Sequence, residues 1–152
     1  MIILYHCYGG AHSSVLSAAI HCGYINTTKI PLNKDILNIP RFDKTTKKEI
    51  GIPFLYGNDD NDNKIYIQGM GSSDKIIVQI LKDLMKIYNI SEKDIVLVDT
   101  LKNVNVIVRI GGFLSRGLGL IFPGRILTVL GLKFSYKKFI RTVDTIKIKI
   151  SQ

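Results

Sequence analysis

Met1-Ile2-Ile3-Leu4-Tyr5-His6-Cys7-Tyr8-Gly9-Gly10-Ala11-His12-Ser13-Ser14 opens the chain, and its reading decides the rest. An apolar run that meets a glycine pair, then serines, then Val15-Leu16 is the pattern of a buried strand, a turn and a helix start. The strand is expected over Ile2 to Tyr5. The helix is expected from His12 or Ser13 to His21, with Gly23 as the residue just past its end. Backbone N–H groups at such a helix start lack intrahelical partners, and a cysteine at the mouth of the turn adds a nucleophile. All 3 histidines and both cysteines fall in this stretch or in the His21-Cys22 pair beyond it. Residues His6 to Ser14 are therefore the expected working site.

Outward from that stretch, strand and helix patterns alternate. Pro31, Pro40 and Pro53 punctuate a connecting region that holds an apolar patch at Lys29 to Leu32, read as a second strand, and a short helix near Asp35. Pro53 to Gly57 and Lys64 to Gly69 flank the polar run Asn58 to Asn63, as two strands of a hairpin would. That run has carboxylates but lacks the glycine and terminal glutamate of a calcium loop, so it reads as a plain turn. Ile76, Ile77, Ile80, Leu81, Leu84 and Ile87 recur at spacings of three and four, which predicts a helix from Ser72 or Ser73 to Tyr88. Asp94 to Thr100 is a continuous apolar strand ending in an acid and a hydroxyl, which places Asp99 at the same sheet edge as Cys7. Asn103 to Leu120 reads as a helix in which Gly111, Gly112, Gly117 and Gly119 require compensation by close packing or a bend. A strand over Ile126 to Leu130 and a helix from Ser135 to about Ile146 complete the order. The fold class is α/β: a three-layer sandwich with a mostly parallel sheet and a hairpin at one edge, in a single domain over the 152 residues.

Composition narrows the partners. The net charge of +9 attracts phosphates, nucleic acid or an anionic membrane surface. The basic residues are spread along the chain without interleaved aromatics, so solvated surface is preferred to a nucleic-acid face. From Val104 to Phe134 the chain is strongly apolar, but Arg109, Arg116, Pro123 and Arg125 interrupt it before the roughly 18 residues that a spanning helix needs. Peripheral attachment through a basic, apolar surface stays open. The two cysteines do not form a disulfide framework and the start does not look like a secretory signal, so a reducing cytoplasm is the expected location.

Three chemistries suit the opening loop. A nucleoside triphosphate loop needs a lysine before its hydroxyl residue, where this chain has His12 before Ser13, and His6 replaces its leading glycine. A cysteine-phosphate loop sets a thiolate among N–H groups that also bind a phosphoryl anion. Metal binding by His6, Cys7, His12, His21 and Cys22 suits zinc by residue type. The adjacent His6 and Cys7 point to opposite faces of a strand, however, and His21 and Cys22 lie at the far end of the helix, about 12 Å from the loop. His21 and Cys22 are therefore read as structural, and His6 as a partly buried imidazole with a backbone partner.

In Cys7, Gly9 and Ser14 the loop resembles that of the low-molecular-weight tyrosine phosphatases, with Ser13 at the position of the phosphatase arginine. In Cys7, Gly10, Ser13 and Ser14 it is similar to the phosphocysteine loop of phosphotransferase-system B domains. The wider set, Tyr5 to Ser14 with Ile39-Pro40-Arg41-Phe42-Asp43, Val96 to Thr100 and Arg109 to Leu120, resembles domain-of-unknown-function family 3189 of spore-forming, low-GC Gram-positive bacteria. That resemblance implies a bacterial cytoplasmic protein and brings no catalytic residues.

The leading expectation is a phosphate-bearing small molecule or nucleotide bound by Tyr8, Gly9, Gly10, Ala11, Ser13 and Ser14. Arg109 or Arg116 would supply charge, and Cys7, His12 and Asp99 would act on the ligand. The alternatives are a degenerate nucleotide loop and a non-enzymatic module docking through Arg109 to Leu120. The sequence names no cofactor and does not decide whether the protein is an enzyme.

Overall fold

Strand β1 (Ile2–Cys7) is central because both of its faces are covered, and every residue from Ile3 to Cys7 is buried. In the computed structural model, which describes residues 1–151, β1 lies between β3 (Lys64–Gly69) and β4 (Ile95–Asp99) and runs parallel to both. Strand β2 (Phe54–Asn58) pairs antiparallel with β3 at the edge, giving the order β2-β3-β1-β4. The expected hairpin is therefore present. Its turn is held by Asp59, whose Oδ1 accepts from the N–H groups of Asn61 and Asn63, both at 2.9 Å.

The connections explain the layers. The chain leaves β1 through α1 (Ser13–His21) to reach β3 on one side, and leaves β3 through α3 (Asp74–Ile87) to reach β4 on the other. Right-handed crossovers in opposite directions place α1 and α3 on opposite faces of the sheet. All of α1 is buried, because the long helix α5 (Ile121–Ile150) covers it from outside. The main core lies on this side, where Ile3 and Tyr5 of β1 and Ile65 of β3 meet Leu16, Leu132 and Phe139. The short α2 (Asn33–Leu37) stands where a helix near Asp35 is expected.

The structure departs from the sequence reading in three places. Lys29 to Leu32 forms no strand: Ile30 and Leu32 are exposed, and Pro31 has no N–H to give a ladder. Ile126 to Leu130 is not a strand either, and lies with Ser135 to Ile146 inside α5. Its β-branched run suggested extension, but the buried set Gly124, Thr128, Gly131 and Ser135 recurs at helical spacing and packs on a neighbour. That neighbour is α4 (Val106–Gly112), which stops short of the helix expected over Asn103 to Leu120 and gives way to a π-helical turn over Phe113–Gly117. The helix expected to Tyr88 is present as α3, which turns Met85 inward while Ile76, Ile80, Leu84 and Ile87 stay exposed.

The α4 and α5 contact supplies the compensation that the glycines call for. A Cβ on Gly124 would lie 2.5 Å from the Ser115 nitrogen, and one on Gly131 would lie 2.7 Å from the Val108 nitrogen. The two backbones therefore touch, and a side chain at either glycine would separate them.

Candidate functional site

Cys7 ends β1, and its side chain faces the α1 side of the sheet with Ile3 and Tyr5. The chain then turns through Tyr8, Gly9, Gly10, Ala11 and His12 into α1. Gly10 carries the turn with a φ of +64°, a left-handed conformation that costs glycine little. The turn brings the Gly10 N–H to the Cys7 Sγ, to which it donates at 3.1 Å, and the Ser14 hydroxyl lies 3.2 Å from the same sulfur. No side chain caps the start of α1, where His12 occupies the cap position. The first-turn amides therefore have no side-chain acceptor at the end of a helix whose dipole favours an anion.

The loop rests on the neighbouring strands. A Cβ on Gly69 would lie 2.7 Å from the Gly9 carbonyl carbon, so the loop and the end of β3 are in backbone contact. The N–H groups of Met70 and Gly71 donate to the carbonyls of Cys7 and Tyr8, at 2.9 and 2.8 Å. From the other side, the Thr100 hydroxyl bridges the His6 carbonyl at 2.8 Å and Ser13 Oγ at 3.0 Å. The site lies where the connections leaving β1 and β3 diverge across the sheet. Such switch points in open parallel sheets leave a crevice at the strands' carboxyl ends.

The expected catalytic trio is not drawn into one hydrogen-bonded set. His12 turns to Asp43, its Nε2 lying 3.0 Å from Oδ1, and its ring packs on Phe42. Asp99 reaches the sheet edge as expected, paired in register with His6, but its carboxylate accepts from the Leu101 N–H at 2.8 Å. Ser13, Ser14 and Cys7 are buried, Tyr8 is exposed, and Gly9 is partly open. Arg109 is exposed on α4. Arg116 instead reaches the segment behind the loop, donating to the Asp43 carbonyl at 3.1 Å and to the Thr45 carbonyl.

Asp43 is the residue that sequence reasoning missed. It is 3% exposed and adopts a φ of +54°, inside an irregular stretch with no periodicity to mark it. Its Oδ1 also accepts from Ser115 Oγ at 2.8 Å, and its Oδ2 from Arg125 Nε at 2.8 Å. Burial acts to raise this carboxyl, but hydrogen bonds from His12, Arg125 and Ser115 outweigh it and hold the group well below the usual carboxylate range. The Asp43 N–H donates to the Ala11 carbonyl at 3.0 Å, and Thr45 Oγ1 donates to the Gly10 carbonyl at 2.8 Å. One carboxylate and its neighbours thus bind the loop to both α4–α5 connecting arms.

The remaining histidines are structural in their surroundings. His21 is buried between the Tyr5 hydroxyl, 2.7 Å from Nδ1, and Asp59 Oδ2, 3.2 Å from Nε2. Burial lowers its pKa, Lys147 adds to this, and Asp59 partly opposes it. In the neutral ring Nε2–H then donates to Asp59, and Nδ1 accepts from Tyr5. Cys22 beside it is pushed up to about 11 by burial and by Asp59, which makes it a poor nucleophile. His6 differs from its expected state: it is buried, and Nδ1 has no hydrogen-bond partner among the described residues. Two surface cavities, of about 340 and 260 Å³, open at the other end of α1 and beside Asp59, not at Cys7.

Residues 2–148 match the model of the family described as "Protein of unknown function (DUF3189)", and the chain belongs to that family. No curated protein and no solved structure was found to match the chain.

Proposed function

We propose that this DUF3189 protein binds a phosphate-type anion on the loop from Cys7 to Ser14, with the Cys7 thiol at the base of the site. The observation that carries this reading is the placement of Cys7 Sγ, which accepts from the Gly10 N–H at 3.1 Å beneath an uncapped helix start. The amides of the first turn favour an oxyanion above the sulfur. Ser13 and Ser14 head the helix, and Tyr8 and Gly9 form the open lip of the loop. His12 is oriented by Asp43, and Arg116 adds positive charge behind the loop. The reactive group in this reading is Cys7, and the ligand is a small phosphate-bearing molecule or nucleotide.

Alkylation tests it. Inorganic phosphate or vanadate in the millimolar range should slow carboxymethylation of Cys7, mapped by mass spectrometry, and leave Cys22 unaffected. Equal rates with and without the anion would remove the proposal.

A second reading is a docking module without chemistry at the loop. The burial of Cys7, Ser13 and Ser14 favours it, as does the engagement of Arg116 and Arg125 with Asp43 and its neighbours. In this reading the working surface is the arm from Arg109 to Leu120 and its partner helix.

A further inference from the structure

We infer that the hairpin formed by α4, the π turn and the first half of α5 seats on the surface of an anionic lipid bilayer. This rests on the docking reading, names its partner, and is independent of what the Cys7 loop binds.

The hairpin is built opposite to one designed for water. Between its helices lie small residues: Gly111 and Ser115 on one side, Gly124, Thr128 and Gly131 on the other, with backbones in contact. Val108, Val129 and Leu132 face the core, but the other large apolar side chains face out. Along α5, Ile126, Leu130 and Phe134 recur every four residues on one exposed stripe, and Phe122, extended at the head of the helix, is exposed as well, with Phe122 78% and Phe134 75% exposed. Val106, Ile110 and Phe113 form a matching exposed stripe on the other arm, and Leu118, Leu120 and Ile121 crown the connection between them. Small residues inside and large apolar residues outside is the arrangement of helices whose surroundings are lipid. In water such a surface is a liability unless something covers it.

Charge selects the occupant. From Lys102 to Arg141 the chain carries eight Lys and Arg and no Asp or Glu, although the whole chain holds 12 acids. The exposed α5 stripe itself passes from apolar to cationic at Lys137, Lys138 and Arg141. A second copy would bring the same positive surface against it, and like charges oppose that pairing. An anionic bilayer offers both what the apolar stripe and what the cations require. No described helix is long and apolar enough to cross a membrane, so the hairpin lies in one interface.

Flotation of the full chain with vesicles tests the inference. With vesicles of equal parts phosphatidylglycerol and phosphatidylcholine at low salt, the protein should float. With phosphatidylcholine alone it should largely stay behind. The double change Phe122→Glu and Phe134→Glu, and separately Lys137→Glu with Lys138→Glu, should each lower binding about tenfold or more. All four side chains are exposed, and circular dichroism confirms that the variants fold. A wild-type chain that stays in the aqueous fraction with both vesicles overturns the membrane. If that chain instead self-associates with concentration and Phe122→Glu abolishes it, the lipid is wrong and the docking surface stands. If it neither floats nor self-associates, both fall.

Discussion

Gly10 and Gly69 are in backbone contact: a Cβ on Gly10 would lie 2.6 Å from the Gly69 nitrogen. The loop that carries Cys7 is thereby pressed onto the end of β3, and its shape depends on the absence of two side chains. Gly69→Ala should destabilise the protein by about 2 kcal/mol or more in urea unfolding, since the added methyl would meet Gly9 backbone that cannot swing aside. Gly9→Ala is the control. Nothing lies within 4 Å of its Cβ position, so a change within about 0.5 kcal/mol is expected.

Asp43→Asn should lower stability by about 2–4 kcal/mol, because it leaves His12, Ser115 and Arg125 around a neutral group in a buried setting. A double-mutant cycle with Arg125→Ala should show coupling between the two. Additive effects would mean that the ion pair contributes nothing.

Acid should reveal the same carboxylate. The folded Asp43 carboxyl lies below its unfolded value, so its stabilisation is fully present above the ordinary carboxylate range. It is lost progressively as the pH falls below that range toward the folded value. Asp43→Asn should flatten this acid limb of the stability curve, and an unchanged limb would assign the loss to other groups.

His6 and His21 act at milder pH. Burial lowers both, so below the unfolded histidine value of about 6.5 the unfolded chain binds protons that the folded chain does not. Stability should therefore fall as the pH drops from about 7 to 5, by at most about 1.4 kcal/mol per pH unit for each histidine. His21→Gln should remove one of the two contributions. Denaturant midpoints measured across this interval give the slope directly.

Gly131→Leu should disrupt the hairpin rather than the sheet. Its side chain would collide with the Val108 backbone and the Asn105 side chain, which caps α4 by accepting from the Val108 N–H at 3.0 Å. Hydrogen exchange should speed up in α4 and leave β1 protected. Equal loss in both would show that the arms and the sheet unfold as one unit.

The sheet was legible because its strands are bounded runs: Ile2 to Cys7, the pair around Asn58 to Asn63, and Ile95 to Asp99 each end at a glycine, a polar turn or an acid. The loop after β1 could be read for the same reason, since Gly9-Gly10 and the serines mark a turn into a helix. The arms of the hairpin could not. Ile126 to Leu130 is apolar and rich in β-branched residues, and its helical packing against α4 is a tertiary contact the local sequence does not show. Asp43 was equally hidden, because its partners lie 31, 72 and 82 residues away and local sequence carries no trace of them.

The carboxylate of Asp43 sits between the loop and the arm that bears the exposed stripe. Because it holds His12 on one side and Ser115 and Arg125 on the other, the loop and the arm share one hydrogen-bonded anchor. Were binding at the arm to shift that anchor, thermodynamic reciprocity would require binding at the loop to act on the arm by the same free energy. Severing the carboxylate would leave two surfaces on one chain with no shared equilibrium through this residue.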